Sequence, residues 1–180
     1  MPNPLIGRMK ASQAHLGILD PVGAISGTSA ATMVTSPQIK PPFNQKGLTL
    51  EVIVGGIASN ANAASKNLVI KILIGGATHT VTMAFDAAAS GDEWFVHLFL
   101  VLETISKTAG KIEVAGLSMH DDASAVVNNP ESAELTSVNT VSPFQAVVTG
   151  EGSHADVTAT CRIAMVRTVH PNSPTDDAVA

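Results

Sequence analysis

Apolar and polar side chains alternate with a period of two over most of the chain between Gly47 and Val169. A period of two sends successive side chains to opposite faces of a β-strand, so each segment predicts a half-buried strand. No segment shows the sustained three-to-four spacing of a helix, and helix is expected only in short turns such as 58–65 or 87–90. The predicted core residues are Leu50, Val52, Leu68, Ile70, Ile72, Leu98, Leu100, Val157 and Ile163.

One segment departs from this alternation. From Trp94 to Leu102 every residue is apolar except His97. Strands that are buried on both faces have such continuous apolar runs, because neither side of the strand meets water. The segment therefore predicts a central strand that is covered on both faces.

Turn-forming residues separate the predicted strands into about eight, with no long helical crossover between them. This arrangement predicts an all-β, antiparallel sandwich of two sheets, and eight strands favour a jelly roll over a seven-stranded immunoglobulin-like domain. The turn signals are Gly55-Gly56, Gly75-Gly76, Ser90-Gly91-Asp92, Gly110, Asn128-Asn129-Pro130, Ser142-Pro143 and Gly150-Glu151-Gly152.

The first 45 residues differ from the rest, because they hold six of the ten prolines. Proline fixes φ and lacks a backbone donor, so this segment is expected to be an extended arm. Its apolar side chains need a partner surface, and we expect them to form an interface: Leu5, Ile6, Met9, Leu16, Ile18, Leu19, Ile39 and Phe43. The expected organisation is an arm over 1–45, a sandwich over 46–169 and a short tail over 170–180.

The composition suggests that other chains cover part of the surface. Of the 180 residues 45% are hydrophobic and only 14% are charged, and Val69 and Leu73 fall on the exposed side of their strand. Residues 1–46 carry a net charge of +3 and residues 47–169 one of −6. Without a basic cluster the chain is not expected to bind nucleic acid, since phosphate neutralisation dominates such binding. Apolar runs of nine residues are too short for a membrane-spanning helix.

No motif in the sequence predicts catalysis or a cofactor. The single Cys161 excludes an intramolecular disulfide or a multi-cysteine zinc site. Neighbouring residues of a strand point to opposite faces, so His120-Asp121-Asp122 is not expected to converge on a metal. Cys161 lies near His154 and Asp156 in sequence, but it shares the apolar side of its strand, whereas a reactive thiol needs an accessible, electropositive site.

The order of features from Gly47 to Val169 resembles a group of bacteriophage virion proteins built on a jelly-roll-like sandwich. The resemblance is carried by Gly47-Leu48-Thr49-Leu50-Glu51-Val52, the Asn/Ala-rich loop from Ala58 to Ala64, Lys66 to Lys71, Gly75-Gly76, Trp94 after Gly91-Asp92, Asn139-Thr140 and the closing strand from Ala155 to Val169. Such domains occur in head decoration (cement) proteins and in tail or fibre components.

The resemblance implies a non-enzymatic structural protein of the virion, made in the host cytoplasm. The chain lacks a repetitive shaft or coiled coil, which favours a capsid decoration protein over a fibre. The implied partners are the major capsid protein or other virion proteins and further copies of this chain, with a trimer favoured. The alternative is a tail, fibre or glycan-binding sandwich module, although aromatic residues at 3% offer few platforms for sugars.

Overall fold

The computed structural model describes residues 24–36, 38, 46–122 and 125–169. These residues form ten β-strands and no α-helix, and no helix among them could cross a membrane. The strands are β1 (Ile25–Ser26), β2 (Ala31–Thr35), β3 (Thr49–Asn60), β4 (Lys66–Ile74), β5 (Ala77–Phe85), β6 (Ser90–Thr104), β7 (Gly110–Asp122), β8 (Ala125–Val138), β9 (Ala146–Gly152) and β10 (Val157–Val169).

The strands form two antiparallel sheets. The six-stranded sheet has the order β1-β10-β3-β6-β7-β8, and the four-stranded sheet has the order β2-β9-β4-β5. The predicted all-β sandwich is confirmed, and eight of the ten strands lie between residues 47 and 169. The jelly-roll connectivity stays a prediction.

The hydrophobic core lies between the two sheets. Each strand contributes alternate side chains to it, because one face of each sheet meets the other sheet. Eight of the nine predicted core residues are buried, and burial of each Val, Leu or Ile contributes about 1.5–3 kcal/mol before ordering costs. The ninth, Ile163, is 53% exposed, so its prediction was wrong.

A β-bulge in β10 explains the exposure of Ile163. Cys161 lies opposite Gly56 and Ile163 lies opposite Gly55, so Arg162 is an extra residue without an opposite partner on β3. An extra residue reverses the alternation of every side chain that follows it. Residues after the bulge therefore point away from the core where a regular strand would point them inward.

Gly75 and Gly76 form the turn that the sequence predicts. They join β4 to β5 as a two-residue hairpin loop, with Ile74 paired to Ala77. Their φ angles are +54° and +91°, in the left-handed region that glycine adopts without steric cost. Two-residue hairpin loops favour such residues because their backbone twist matches that of the strands.

Four other predicted turns lie inside strands, so those predictions were wrong: Gly55-Gly56 in β3, Ser90-Gly91-Asp92 at the start of β6, Asn128-Asn129-Pro130 in β8 and Gly150-Glu151-Gly152 at the end of β9. Gly55-Gly56 lies within β3, where a Cβ at Gly56 would overlap the carbonyl oxygen of Thr160 on β10. Asn128-Asn129-Pro130 lies within β8, the edge strand of the six-stranded sheet. Proline is tolerated on an edge strand because no neighbouring strand needs its missing donor.

Part of the segment that was assigned to the arm belongs to the sheets. β1 pairs with β10, β2 pairs with β9, and the side chain of Ile25 is fully buried in the core. The sandwich thus includes residues 25–26 and 31–35, before the predicted boundary at residue 46. All eight predicted interface residues of the arm, from Leu5 to Phe43, lie outside the described residues.

Candidate interaction face

The side chains of the six-stranded sheet that point away from the core form a broad apolar surface, which we call the outer face. It is built by β10, β3, β6, β7 and β8, whose registers place these side chains in adjacent rows. Phe99 is 37% exposed and Leu117 is 38% exposed, and Ile163 is exposed in the row that contains Gly55, Phe95 and Met119. Its apolar members include Ile53, Ile57, Phe95, Phe99, Val101, Ala115, Leu117, Met119, Val126, Pro130, Ile163, Met165 and Val169.

The strand β6 runs through the middle of this surface. Val96, Leu98 and Leu100 are buried in the core, whereas His97 and Phe99 lie on the outer face and are partly open to solvent. Within the described residues, the prediction that this segment is covered on both faces was therefore wrong. The sequence carries apolar residues on a face that the described part of the fold leaves open.

A compact ionic cluster lies within the outer face. The carboxylate of Glu51 on β3 accepts a hydrogen bond from Nε2 of His97 on β6 at 2.8 Å, and a second from Nε of Arg167 on β10. Glu51 is only 4% exposed, although it points to the outer face, because these neighbours cover it. Its charge is thus compensated inside the face.

The pKa of Glu51 reflects this environment. Burial alone raises the pKa of a carboxyl group, but the hydrogen bonds and positive charges of Arg167 and His97 outweigh it. The pKa of Glu51 therefore lies below its ordinary value of 4.5. In return, the Glu51 carboxylate raises the pKa of Arg167, so both groups stay charged near neutral pH.

Two aromatic rings fix the His97 side chain from either side along β6. The ring centroids of His97 and Phe99 are 4.8 Å apart, and those of His97 and Phe95 are 6.3 Å apart. Such contacts leave the imidazole little rotational freedom. The polar centre of the face is therefore rigid and internally satisfied.

A cavity of about 430 Å³ opens at one end of the outer face. The two glycines of β3, Gly55-Gly56, contribute no side chains there, which leaves a depression between Ile163, Phe95 and Met119. Arg162 also lines the cavity, next to Ile163, which the bulge turns outward. The volume is in the range of small-ligand pockets, and it equally suits a side chain of another protein.

The structure separates the residues that the sequence places close together. The ring of His120 is buried and lies 5.3 Å from that of Phe85, whereas the next residue, Asp121, points to the outer face. Cys161 is fully buried, and burial raises the pKa of its thiol above the ordinary value of 9.0. The predicted inward orientation of Cys161 is confirmed.

His154 and Asp156 lie in the turn before β10. Nδ1 of His154 is 3.1 Å from a carboxylate oxygen of Asp156, and both side chains are well exposed. The buried thiol of Cys161 lies farther along the strand and points into the core. These three side chains therefore do not form a nucleophilic site.

A second polar cluster is buried between the sheets. Nε2 of His79 on β5 lies 3.7 Å from a carboxylate oxygen of Glu131 on β8, which is too long for a hydrogen bond. The hydroxyl of Ser118 donates to the other oxygen of Glu131 at 2.7 Å. Burial lowers the pKa of His79 more than Glu131 raises it, so the imidazole has a pKa below 6.5.

Three carboxylates meet at the other end of the outer face. Glu103, Glu113 and Glu134 have oxygens within 4.8 Å of one another, and the ammonium of Lys111 donates to both oxygens of Glu134. Exposed acidic groups of this kind are common without an ion, and Lys111 already offsets part of the charge. The cluster contributes negative charge to this side of the face.

Sequence reasoning did not identify the outer face or the Glu51 cluster. Glu51, His97 and Arg167 come from three distant segments, and only the strand register brings them together. The sequence held one signal, however. The apolar run around His97 predicts a strand that its own fold covers on both faces, but it fits equally well a strand that has one face covered by another protein.

A comparison of the chain with protein-family models, with curated proteins and with solved structures finds no match.

Proposed function

We propose that the protein is a non-enzymatic structural component of a bacteriophage virion, which decorates the capsid and works through contacts with other proteins. The observation that carries the proposal is the apolar outer face. Monomeric proteins rarely expose contiguous apolar surfaces of this size, and such surfaces mark sites of protein contact. The choice of a phage capsid comes from the resemblance of the sequence pattern to virion proteins.

The architecture supports a structural role in a second way. The polar groups at the centre of the outer face are paired with one another, because the carboxylate of Glu51 accepts hydrogen bonds from His97 and Arg167. A catalytic surface would present groups that are free to meet a substrate. This face instead offers shape and apolar area, which suit a permanent contact.

The arm is the second proposed adhesive element. Residues 1–46 have a charge of +3, opposite to the −6 of residues 47–169, so the arm can lie on an acidic neighbouring surface. The major capsid protein and other virion proteins are the proposed partners. On a lattice, many weak contacts of this kind add to a strong one.

The direct test is the protein content of phage particles whose genome encodes this chain. Mass spectrometry of gradient-purified particles should find the chain in many copies. Its absence from the particles would contradict the proposed role.

A truncation tests the arm separately. Removing residues 2–23 keeps all ten strands, whereas a deletion that reached residue 42 would also remove β1, β2 and the buried Ile25. The shortened chain should keep the circular dichroism of a β-protein and lose co-sedimentation with particles. Full binding by the shortened chain would show that the arm is not the adhesive element.

The cavity beside Gly55-Gly56 favours one alternative, a module that binds a small ligand or glycan. Its lining combines the aromatic ring of Phe95 with the charged groups of Glu93, Asp121 and Arg162. A glycan array on the purified chain separates this function from the structural one. Specific binding that a Phe95→Ala change removes would favour the alternative.

A further inference from the structure

We propose that the outer face is covered by the outer face of a second copy of this chain, with the two copies related by a two-fold axis parallel to β6. The proposal rests on the proposed structural role, and it names the surface and the partner. Three properties of the face point to a second copy: its size, its internal charge compensation, and the distribution of charge across its strands.

The size of the outer face fits a weak-to-standard protein interface. Five strands spaced by about 4.8 Å, and seven residues with a rise of about 3.4 Å, give a footprint of roughly 24 by 24 Å. The flat footprint therefore has an area of about 580 Å², and the uneven surface of the side chains adds to it. Stable interfaces begin at about 600 Å² per partner. A face of this extent can therefore hold two copies together without help from another surface.

The centre of the face carries no net charge for an oppositely charged partner to recognise. Glu51 is balanced by Arg167, and His97 completes the hydrogen bonding of the carboxylate. Around this centre the surface is apolar, with Ile53, Phe99 and Leu117 in neighbouring positions. The best partner for such a centre is another apolar, locally neutral sheet.

Charge is distributed asymmetrically across the strands. Strand β10 presents Arg162 and Arg167, whereas β7 and β8 present Asp121, Glu113 and Glu134. Arg167 is paired with Glu51, so the basic character of the β10 side comes mainly from Arg162, whereas the β7 and β8 side is acidic, with Lys111 as the single Lys or Arg on these two strands among the described residues. A surface that carries both signs on opposite sides is complementary to itself after rotation.

A two-fold axis parallel to β6 uses this asymmetry. The rotation places β10 of one copy over β8 of the other, and β3 over β7, while β6 faces itself. The β10 side of one copy then meets the side of the other copy that carries Glu134, and Ile53 of β3 lies over Leu117 of the second copy. Phe99 lies near its own counterpart. An axis perpendicular to the strands would instead place the two basic β10 strands against each other.

Sedimentation of the purified full-length chain tests the contact by itself. We expect a mass of twice 18.5 kDa at micromolar concentration. Leu117→Glu and Phe99→Glu should each shift the chain to monomer, because they bury a charge opposite an apolar surface. Leu73→Glu is the matched control, since Leu73 is 40% exposed on the other sheet, and it should leave the dimer unchanged.

Disulfide trapping tests the register in the folded protein. Phe99→Cys should cross-link to itself on oxidation, and a mixture of Ile53→Cys with Leu117→Cys chains should form a mixed dimer. Within one chain Ile53 and Leu117 are separated by β6, about 10 Å, so they cannot bridge internally. Ile163→Cys is the negative control, because the axis keeps the two copies of β10 apart. The native Cys161 is buried and common to all variants.

Several outcomes would overturn the proposal: a monomeric native chain, a trimer, a dimer that both glutamate changes leave intact, or cross-linking of Ile163→Cys in place of Phe99→Cys. A contact between two identical faces closes at two copies, whereas the trimer expected from the resemblance would need a different surface. A monomer whose outer face is covered by its own residues 1–23 would also contradict it. None of these results bears on the particle composition that tests the proposed role.

Discussion

The two sheets of the sandwich share a core but present opposite surfaces to their surroundings. The outward side chains of the four-stranded sheet include Thr78, Thr80 and Thr82 on β5, with the ion pair of Lys71 and Glu151 at 2.6 Å beside them. We call this surface the threonine face. The outer face of the six-stranded sheet carries Ile, Phe, Leu and Met at the equivalent positions.

This difference shows that a period of two in the sequence predicts where the strands lie, but does not predict whether the outward side of a sheet is polar or apolar. On the threonine face the outward side chains are mostly polar, with apolar exceptions such as Val69 and Leu73, so little apolar surface is left when the inner side of the sheet is buried. On the outer face both sides of the central strands are apolar, and the fold buries only one of them. The ionic groups follow the same division: Lys71 and Glu151 are half-exposed, whereas Glu51 is almost fully covered.

The largest expected effect on stability comes from adding a Cβ at a glycine, and one glycine from each sheet allows the comparison. At Gly116 in β7 a Cβ would overlap the carbonyl oxygen of His97, which is fixed in the sheet. At Gly150 in β9 it would meet the flexible ends of Met33 and Ile25. Gly116→Ala should lower the free energy of unfolding by about 3 kcal/mol, and Gly150→Ala by about 0.5–1.5 kcal/mol through rotamer shifts.

Urea unfolding of the two alanine variants measures this difference. Equal losses at the two positions would contradict the view that backbone approach in the six-stranded sheet is the tighter of the two.

The next largest effect on stability comes from removing one partner of an ion pair, either in the Glu51 cluster or in the pair of Lys71 and Glu151. Arg167→Met leaves the carboxylate of Glu51 covered but without its main partner, so the melting temperature should fall clearly at pH 7. Lys71→Met removes a half-exposed pair and should change the melting temperature little, since such pairs contribute about 0–1 kcal/mol.

The pH dependence of the Arg167→Met variant sharpens this prediction. In the native chain the pKa of Glu51 lies below 4.5, so its contribution to stability is present above pH 4.5 and is lost as the pH falls through the lower, folded value. In the variant the pKa rises, and the carboxyl group takes up a proton earlier. The melting temperatures of native chain and variant should therefore converge in acid. A constant difference from pH 7 to pH 3 would contradict the assigned cause.

The smallest effect concerns His79, which faces Glu131 between the sheets. Its pKa is lowered in the folded chain, so below pH 6.5 the unfolded chain binds the proton first and stability falls as the pH decreases. The slope is at most about 1.4 kcal/mol for each pH unit. His79→Leu should flatten the stability curve between pH 6.5 and 5. Chemical unfolding at several pH values measures the curves of the native chain and the variant.

Local patterns allowed the fold to be predicted, because alternation and turn chemistry act over a few residues. The hairpin at Gly75-Gly76 and the core positions of β3, β4 and β6 follow from them directly. Gly55-Gly56 was misinterpreted as a turn because the reason for glycine there is the approach of Thr160, about one hundred residues away. A reason of this kind depends on tertiary contacts and has no local signal.

The candidate site was much harder to predict for the same physical reason. Glu51, His97 and Arg167 become neighbours only through the registers of β10, β3 and β6. Moreover, an apolar side chain looks the same in a sequence whether its own fold or a second molecule covers it. Low charge content indicated that some surface was covered, but it did not indicate which.

The bulge at Arg162 has a consequence for how the chain tolerates insertions and deletions. Around it, Cys161 points inward and Ile163 outward, and these two residues lie opposite consecutive residues of β3. Deleting Arg162 would therefore give a regular strand in which Ile163 and Met165 still point outward and Ala164 and Val166 still point inward. Deleting a residue from β3, which has no such extra residue opposite β10, would instead move every following side chain to the other face. The bulge thus makes position 162 the place where β10 can lose one residue without exchanging its core and surface side chains.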